Sequence, residues 1–172
     1  MKNLNLENVQ EVQEFTKVAP DGYVCKITSV EDIADKEYLK IKFDIAEGEF
    51  KGYYQELYAN KGFWAGKFIK SYKDTALSFF KSFITAVQNS NTGFVWNDDE
   101  TKLIGKFVGL VLAEEEYQSN EGVIKTRLYV DRIRSVESIK KGDFKVPFLK
   151  IFEDSQPKST FIEIGANEDL PF

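Results

Sequence analysis

From Tyr38 to Ile45 the chain alternates without a break: Leu39, Ile41, Phe43 and Ile45 interleave with Tyr38, Lys40, Lys42 and Asp44. A period of two is what a strand with one buried face requires. Further on the period changes. Ala76, Phe80, Phe83, Ile84 and Val87 recur at helical spacing, with Leu77 and Phe79 flanking the stripe. Ser71-Tyr72-Lys73-Asp74 precedes that stripe with the spacing of a capping box, and Asn89-Ser90-Asn91-Thr92-Gly93 ends it. A chain that places one amphipathic helix among half-buried strands must fold a sheet around a core that the helix closes.

The remaining strands are expected on either side of the helix. Pro20-Asp21-Gly22 is a turn signal, and Gly22 to Val30 then places Tyr23, Cys25 and Ile27 on one face. Glu47-Gly48-Glu49 turns the chain into a third expected strand, from Gly52 to Asn60. Lys106 to Ala113 is apolar on both faces, as a central strand is, and after the loop at Gln118 to Gly122 a long basic strand runs from Val123 to Val136. Leu6, Val9, Val12 and Phe15 indicate a short helix within Leu4 to Val18. Three strands, a helix and two strands is the order of the oligonucleotide-binding (OB) fold. The expected fold is therefore mainly β, an OB-like five-stranded Greek-key barrel with its helix between the third and fourth strands. An N-terminal segment (1–18), a body (19–152) and a tail (153–172) make up the organisation.

Composition narrows the chemistry. There is no histidine, which removes Ser-His-Asp and Cys-His catalysis, histidine proton shuttles and most zinc sites. Cys25 is the single cysteine; it forms no internal disulfide and is read as a small buried side chain in a reducing, cytoplasmic compartment, a bacterial or phage-infected cell. No GK[ST] loop, no GxGxxG, no membrane-length apolar run and no signal-peptide core is present. The expectation is a protein that is not an enzyme, with no cofactor, no metal and no membrane partner; its oligomeric state is open, a homo-oligomer included. Two acidic runs, Glu114-Glu115-Glu116 and Asp98-Asp99-Glu100, keep a carboxylate-bound Mg²⁺ nuclease as the weaker alternative. Consecutive acids on a strand point to alternate faces, which works against one shared ion.

The formal net charge of −5 is unevenly spread. Five of the 28 acids and one of the 23 bases lie from Glu153 onward, so the body before it holds 23 acids and 22 bases. A nearly neutral body with an acidic tail is expected when a basic groove and an acidic segment share one chain. The last residues are Glu168-Asp169-Leu170-Pro171-Phe172. Phe172 joins a ring to a carboxylate, and Pro171 limits the unbound conformations. This end resembles the C-terminal tip of bacterial single-stranded DNA-binding proteins, with Asn167 where a third acid would be typical. By size, strand order and tail, the chain is similar to the small single-stranded DNA-binding proteins of bacterial viruses. The resemblance implies non-enzymatic binding of single-stranded DNA in replication or recombination. It also implies a tail that recruits replication or repair proteins by seating the terminal ring in a pocket with a basic rim. An adaptor that displays this tail while its body binds protein is the alternative.

Rings alternating with amines suit stacked bases and neutralised phosphates. On an OB fold the ligand crosses strands two and three. The expected face pairs Tyr38, Lys40 and Lys42 with Tyr54, Glu56 and Tyr58, the register centring on Gly48. A second basic and aromatic element is Lys61-Gly62-Phe63-Trp64-Ala65-Gly66-Lys67, continuing to Lys70 and Lys73. At least one of its two adjacent rings should be exposed. A third element is Lys125, Arg127, Arg132 and Arg134 on the last strand, extended by Lys140, Lys141 and Lys145.

Overall fold

The computed structural model describes residues 1–9 and 16–153. Five antiparallel strands form one open sheet in the order β3-β2-β1-β4-β5. They are β1 (Asp21–Ile33), β2 (Tyr38–Ile45), β3 (Lys67–Ser71), β4 (Phe107–Gln118) and β5 (Ile124–Arg134). Among the described residues three α-helices accompany them: α1 (Tyr53–Lys61), α2 (Leu77–Ser90) and α3 (Val136–Lys140). The alternation of β2 works as expected, burying Leu39, Ile41, Phe43 and Ile45 on one face. Helix α2 lays Phe83, Ile84, Ala86 and Val87 on that core, and Cys25 and Ile27 of β1 lie in it fully buried. Burial also pushes the Cys25 thiol pKa far up, so it is an inert core group.

One expected strand is a helix. Gly52 to Asn60 does not extend; α1 occupies it, and the third strand is the shorter β3. The cause lies eight residues upstream of Gly52. Asp44 ends β2 with its carboxylate buried, and it accepts hydrogen bonds from the amides of Ile45 (2.8 Å), Tyr54 (2.9 Å) and Gln55 (3.1 Å). A carboxylate on the first free N–H groups of a helix satisfies its orphan donors and complements its dipole. Gly52 (φ +75°) turns the chain into α1, and Gly62 (φ +78°) closes it, its N–H donating to the Tyr58 carbonyl. Tyrosine's preference for strands is overridden by a cap that comes from another element.

Three smaller expectations also change. The capping box is not formed: Ser71 Oγ accepts from the Lys73 amide, and a 3-10 turn at Asp74–Ala76 leads into α2. Within the expected helix at Leu4 to Val18, residues 4–9 and 16–18 are not helical, and 10–15 lie outside the described residues. The sheet does not close into a barrel, since β3 and β5 are its two edges.

The outer face of the sheet is divided. Over β1 and β4 it is covered. A Cβ on Gly109 would strike the Ile139 side chain and lie 2.7 Å from the Ser135 carbonyl, and one on Gly22 would enter the Phe144 ring. Val24, Val111 and Ala113 are accordingly buried beneath α3 and the segment after it. That segment reaches the β4 edge beyond β1, where Lys150 exchanges backbone hydrogen bonds with Glu114 and Glu116. β4 is therefore buried on both faces over its first half, as its sequence implied.

Candidate functional site

Over β2 and β3 the outer face carries a different set of side chains. The register pairs Tyr38 with Ser71, Lys40 with Ile69, and Lys42 with Lys67. Directly opposite residues of an antiparallel pair share a face, so Tyr38, Lys40, Lys42 and Lys67 project together. On the other side of β2, Ser29 lies opposite Lys42 and Glu31 opposite Lys40. Among the described residues, Lys40, Lys42 and Lys67 form no ion pair, with Glu31 or any other acid. Like charges set directly opposite are locally destabilising, by about 0.2–1 kcal/mol for such a pair. Lys42 and Lys67 are such a pair, and an anion between them removes the repulsion.

The expected partners of this strip are corrected. Tyr54 is buried on α1, its ring edge-on to Phe43 at 5.3 Å, and burial raises its phenol pKa well above the ordinary value. Tyr58 is exposed but stands on α1, so neither it nor Glu56 and Tyr54 share a strand face with Tyr38. The helix removes them. Lys70 is also displaced: it pairs with Leu39 on the core side of β3, where burial lowers its pKa to about 8. In a strand whose period is two, Lys67 and Lys70 cannot face the same way.

The loop from α1 to β3 ends the strip in rings. Trp64 is half-buried, and its indole N–H donates to the carbonyls of Gly66 (2.9 Å) and Phe43 (3.2 Å). It is therefore a brace between loop and strand. Gly66 lets the loop lie this close, since a Cβ there would sit 2.6 Å from the Phe43 carbonyl. Phe63 remains 56% exposed, and Tyr58 stands 6.1 Å from the Trp64 ring, centroid to centroid. One of the two adjacent rings is free, and it is Phe63. Lys61, exposed at the end of α1, completes the cluster.

The third basic element is differently engaged. Lys125, Arg127, Arg132 and Arg134 project from β5 on the side shared by Tyr117, Glu115, Val111 and Gly109 of β4. Arg127 binds Glu115 at 2.9 Å and lies over the Tyr117 ring at 4.6 Å. Arg132 and Arg134 donate to the carbonyls of Asp131 and Ile133. Lys140 pairs with Glu47 and Lys141 with Glu137. Lys150 stands 4.4 Å over the Tyr129 ring, whose phenol pKa is raised chiefly by burial.

The acidic runs are engaged locally. Glu115 holds Arg127, Asp99 caps the 3-10 turn at Glu100–Leu103, and Asp98 accepts from the Trp96 indole. Among the described residues no group of three or more His, Cys, Asp or Glu side chains is arranged to hold a metal ion. Nor is any described helix long and apolar enough to cross a membrane. Glu168, Asp169, Leu170, Pro171 and Phe172 lie outside the described residues. No family model matches the chain, and no curated protein matches it in sequence.

Proposed function

We propose that the protein binds single-stranded DNA across β2 and β3, without sequence preference and without catalysis. The observation that carries this reading is the Lys42–Lys67 pair, two ammoniums held opposite each other with Lys40 beside them and, among the described residues, no carboxylate bonded to any of the three. Sequences break a local rule of this kind where a ligand compensates. Tyr38 at one end and Phe63 at the other offer ring faces for bases, and Lys61 adds a fourth cation.

The finer fold assignment belongs to the same proposal. A sheet order of β3-β2-β1-β4-β5 with α2 between β3 and β4 matches an OB barrel opened between β3 and β5. In that fold β2 and β3 form the ligand face, which is the face left uncovered here. The tail at Glu168 to Phe172 is proposed, on its resemblance alone, to recruit replication or repair proteins.

A titration of the full chain with a dT oligonucleotide over a salt series tests the reading. Neutralising about four phosphates gives a slope of log K against log salt near −3, at about 0.7 per contact. Absence of binding, a slope near zero, or equal affinity for duplex DNA overturns it. Removing Leu170 to Phe172 should abolish capture of replication or repair enzymes; unchanged capture discards the recruiting role.

A further inference from the structure

Beyond Lys42 the same face of the sheet opens into a cleft of about 600 Å³ between the middle of β1, the end of β2 and the start of β4. Asp44 follows Lys42 by two residues on β2, and its cross-strand partner on β1 is Lys26. The cleft is thus continuous with the lysine strip. Its volume falls within the roughly 300–1,000 Å³ of small-ligand pockets.

The lining combines three kinds of group. Phe107, at the start of β4, is 39% exposed, and Ile104 beside it is 47% exposed, so the cleft has an apolar wall that includes a ring face. Thr28 and Gln55 supply a hydroxyl and an amide. Thr28 is the extra residue of a β-bulge, where the β1–β2 register skips from Ile27 to Ser29. Bulges re-aim one side chain out of the pleat and are frequent beside binding sites. Lys26 and Lys51 provide two exposed ammoniums at the cleft. The one carboxylate lining it, Asp44, already accepts three backbone N–H bonds at the start of α1, so its charge is compensated locally.

A ring wall, polar groups for a base edge and two cations are the requirements of a nucleotide. We propose that this cleft is a nucleobase subsite. One base of the bound strand leaves the β2–β3 face and stacks on Phe107, its edge meets Thr28 and Gln55, and Lys26 and Lys51 receive the adjoining phosphates. This inference rests on the single-stranded DNA reading and extends it to a second part of the sheet, so longer strands gain a contact that short ones lack.

The experiment uses the full-length protein with dT oligonucleotides of about four and about twelve nucleotides, within the span bound by one OB-type site. Two variants are compared with wild type. Phe107→Leu keeps apolar volume and removes the ring, and Lys51→Glu reverses a charge on an exposed loop. Each should weaken the long oligonucleotide by about tenfold, within the range for one lost stack, and leave the short one within twofold. Photocrosslinking with bromodeoxyuridine in the long strand should label the peptide containing Phe107. Variants that bind both lengths as wild type does, or lose both equally, overturn the subsite, as does label confined to β2 and β3. Those results leave the strand-face reading intact; only a wild type that binds neither length removes both.

Discussion

The outer face of this sheet has two halves built from similar residues and treated in opposite ways. On the side of β4, β5 and α3 several cations are paired, Arg127 with Glu115, Lys140 with Glu47 and Lys141 with Glu137, while α3 and the Phe144 segment seal the apolar surface over β1 and β4. Over β2 and β3 the outward cations Lys40, Lys42 and Lys67 form no ion pair among the described residues, and two of them stand face to face. Positive charge alone therefore says little about a site. What distinguishes a candidate interface is charge that the fold itself does not use, since an exposed satisfied pair contributes little to stability or to affinity.

The most disruptive test of that contrast is charge reversal on the open half. Lys40→Glu, Lys42→Glu and Lys67→Glu together should lower single-strand affinity by at least about a hundredfold at low salt and flatten the salt slope by about 2, at roughly 0.7 per phosphate lost. In the corresponding Gln triple variant thermal stability should hold or rise, because the Lys42–Lys67 repulsion is removed, whereas two Glu at those positions again set like charges opposite each other. A Gln triple variant that melts at a lower temperature than wild type contradicts the unpaired-cation account.

The covered half should fail differently. Gly109→Ala places a methyl against Ile139 and the carbonyls of Ser135 (2.7 Å) and Arg134 (2.9 Å). Denaturant unfolding should show a loss of about 2–3 kcal/mol as α3 is pushed off the sheet. An Ala variant as stable as wild type would mean that α3 does not seal this face.

The two faces of β3 provide a third test. Lys67 is exposed, whereas Lys70 is buried with a pKa of about 8 against an ordinary 10.5. Between those values the unfolded chain holds the proton and the native chain has released it, so native stability rises as pH climbs from 8 toward 10.5. The expected gain is about 1–2 kcal/mol after solvent screening. It should vanish in Lys70→Met and persist in Lys67→Met, read as melting temperature across that range. Equal pH profiles for the two variants would contradict the assignment of faces.

Much of this organisation was legible in the chain. The alternation of Tyr38 to Ile45 announced β2 to the residue, and the stripe from Phe80 to Val87 announced α2. The double burial of β4 was readable from Val108 to Ala113. What the reading missed was α1, whose cap is Asp44, remote from it in sequence and placed only once β2 has formed. That single error moved Tyr54 and Tyr58 onto the wrong element and left Lys67 and Ile69 without their role in β3. A signal was available: Tyr54, Leu57, Tyr58 and Lys61 recur at spacings of three and four. The β-bulge at Thr28 had no comparable signal, and neither had the cleft it lines.

The ring cluster gives a smaller effect. Phe63→Ala should weaken single-strand binding by about 1 kcal/mol with the fold unchanged, if a base rests on the exposed ring. Trp64→Ala should instead act first on stability, because its indole braces Phe43 and Gly66. Reversed behaviour of the two would exchange their roles. The smallest effect is expected on the covered half, where Arg127→Ala and Arg132→Ala should each change affinity by less than about 0.5 kcal/mol.

The most direct test of the contrast is an NMR titration of the isotope-labelled full chain with a dT oligonucleotide. The account predicts shift changes concentrated on Tyr38, Lys40, Lys42, Lys67 and Ile69, with Arg127, Arg132 and Arg134 of β5 nearly unmoved. Changes centred on β5, with β2 and β3 silent, would contradict it.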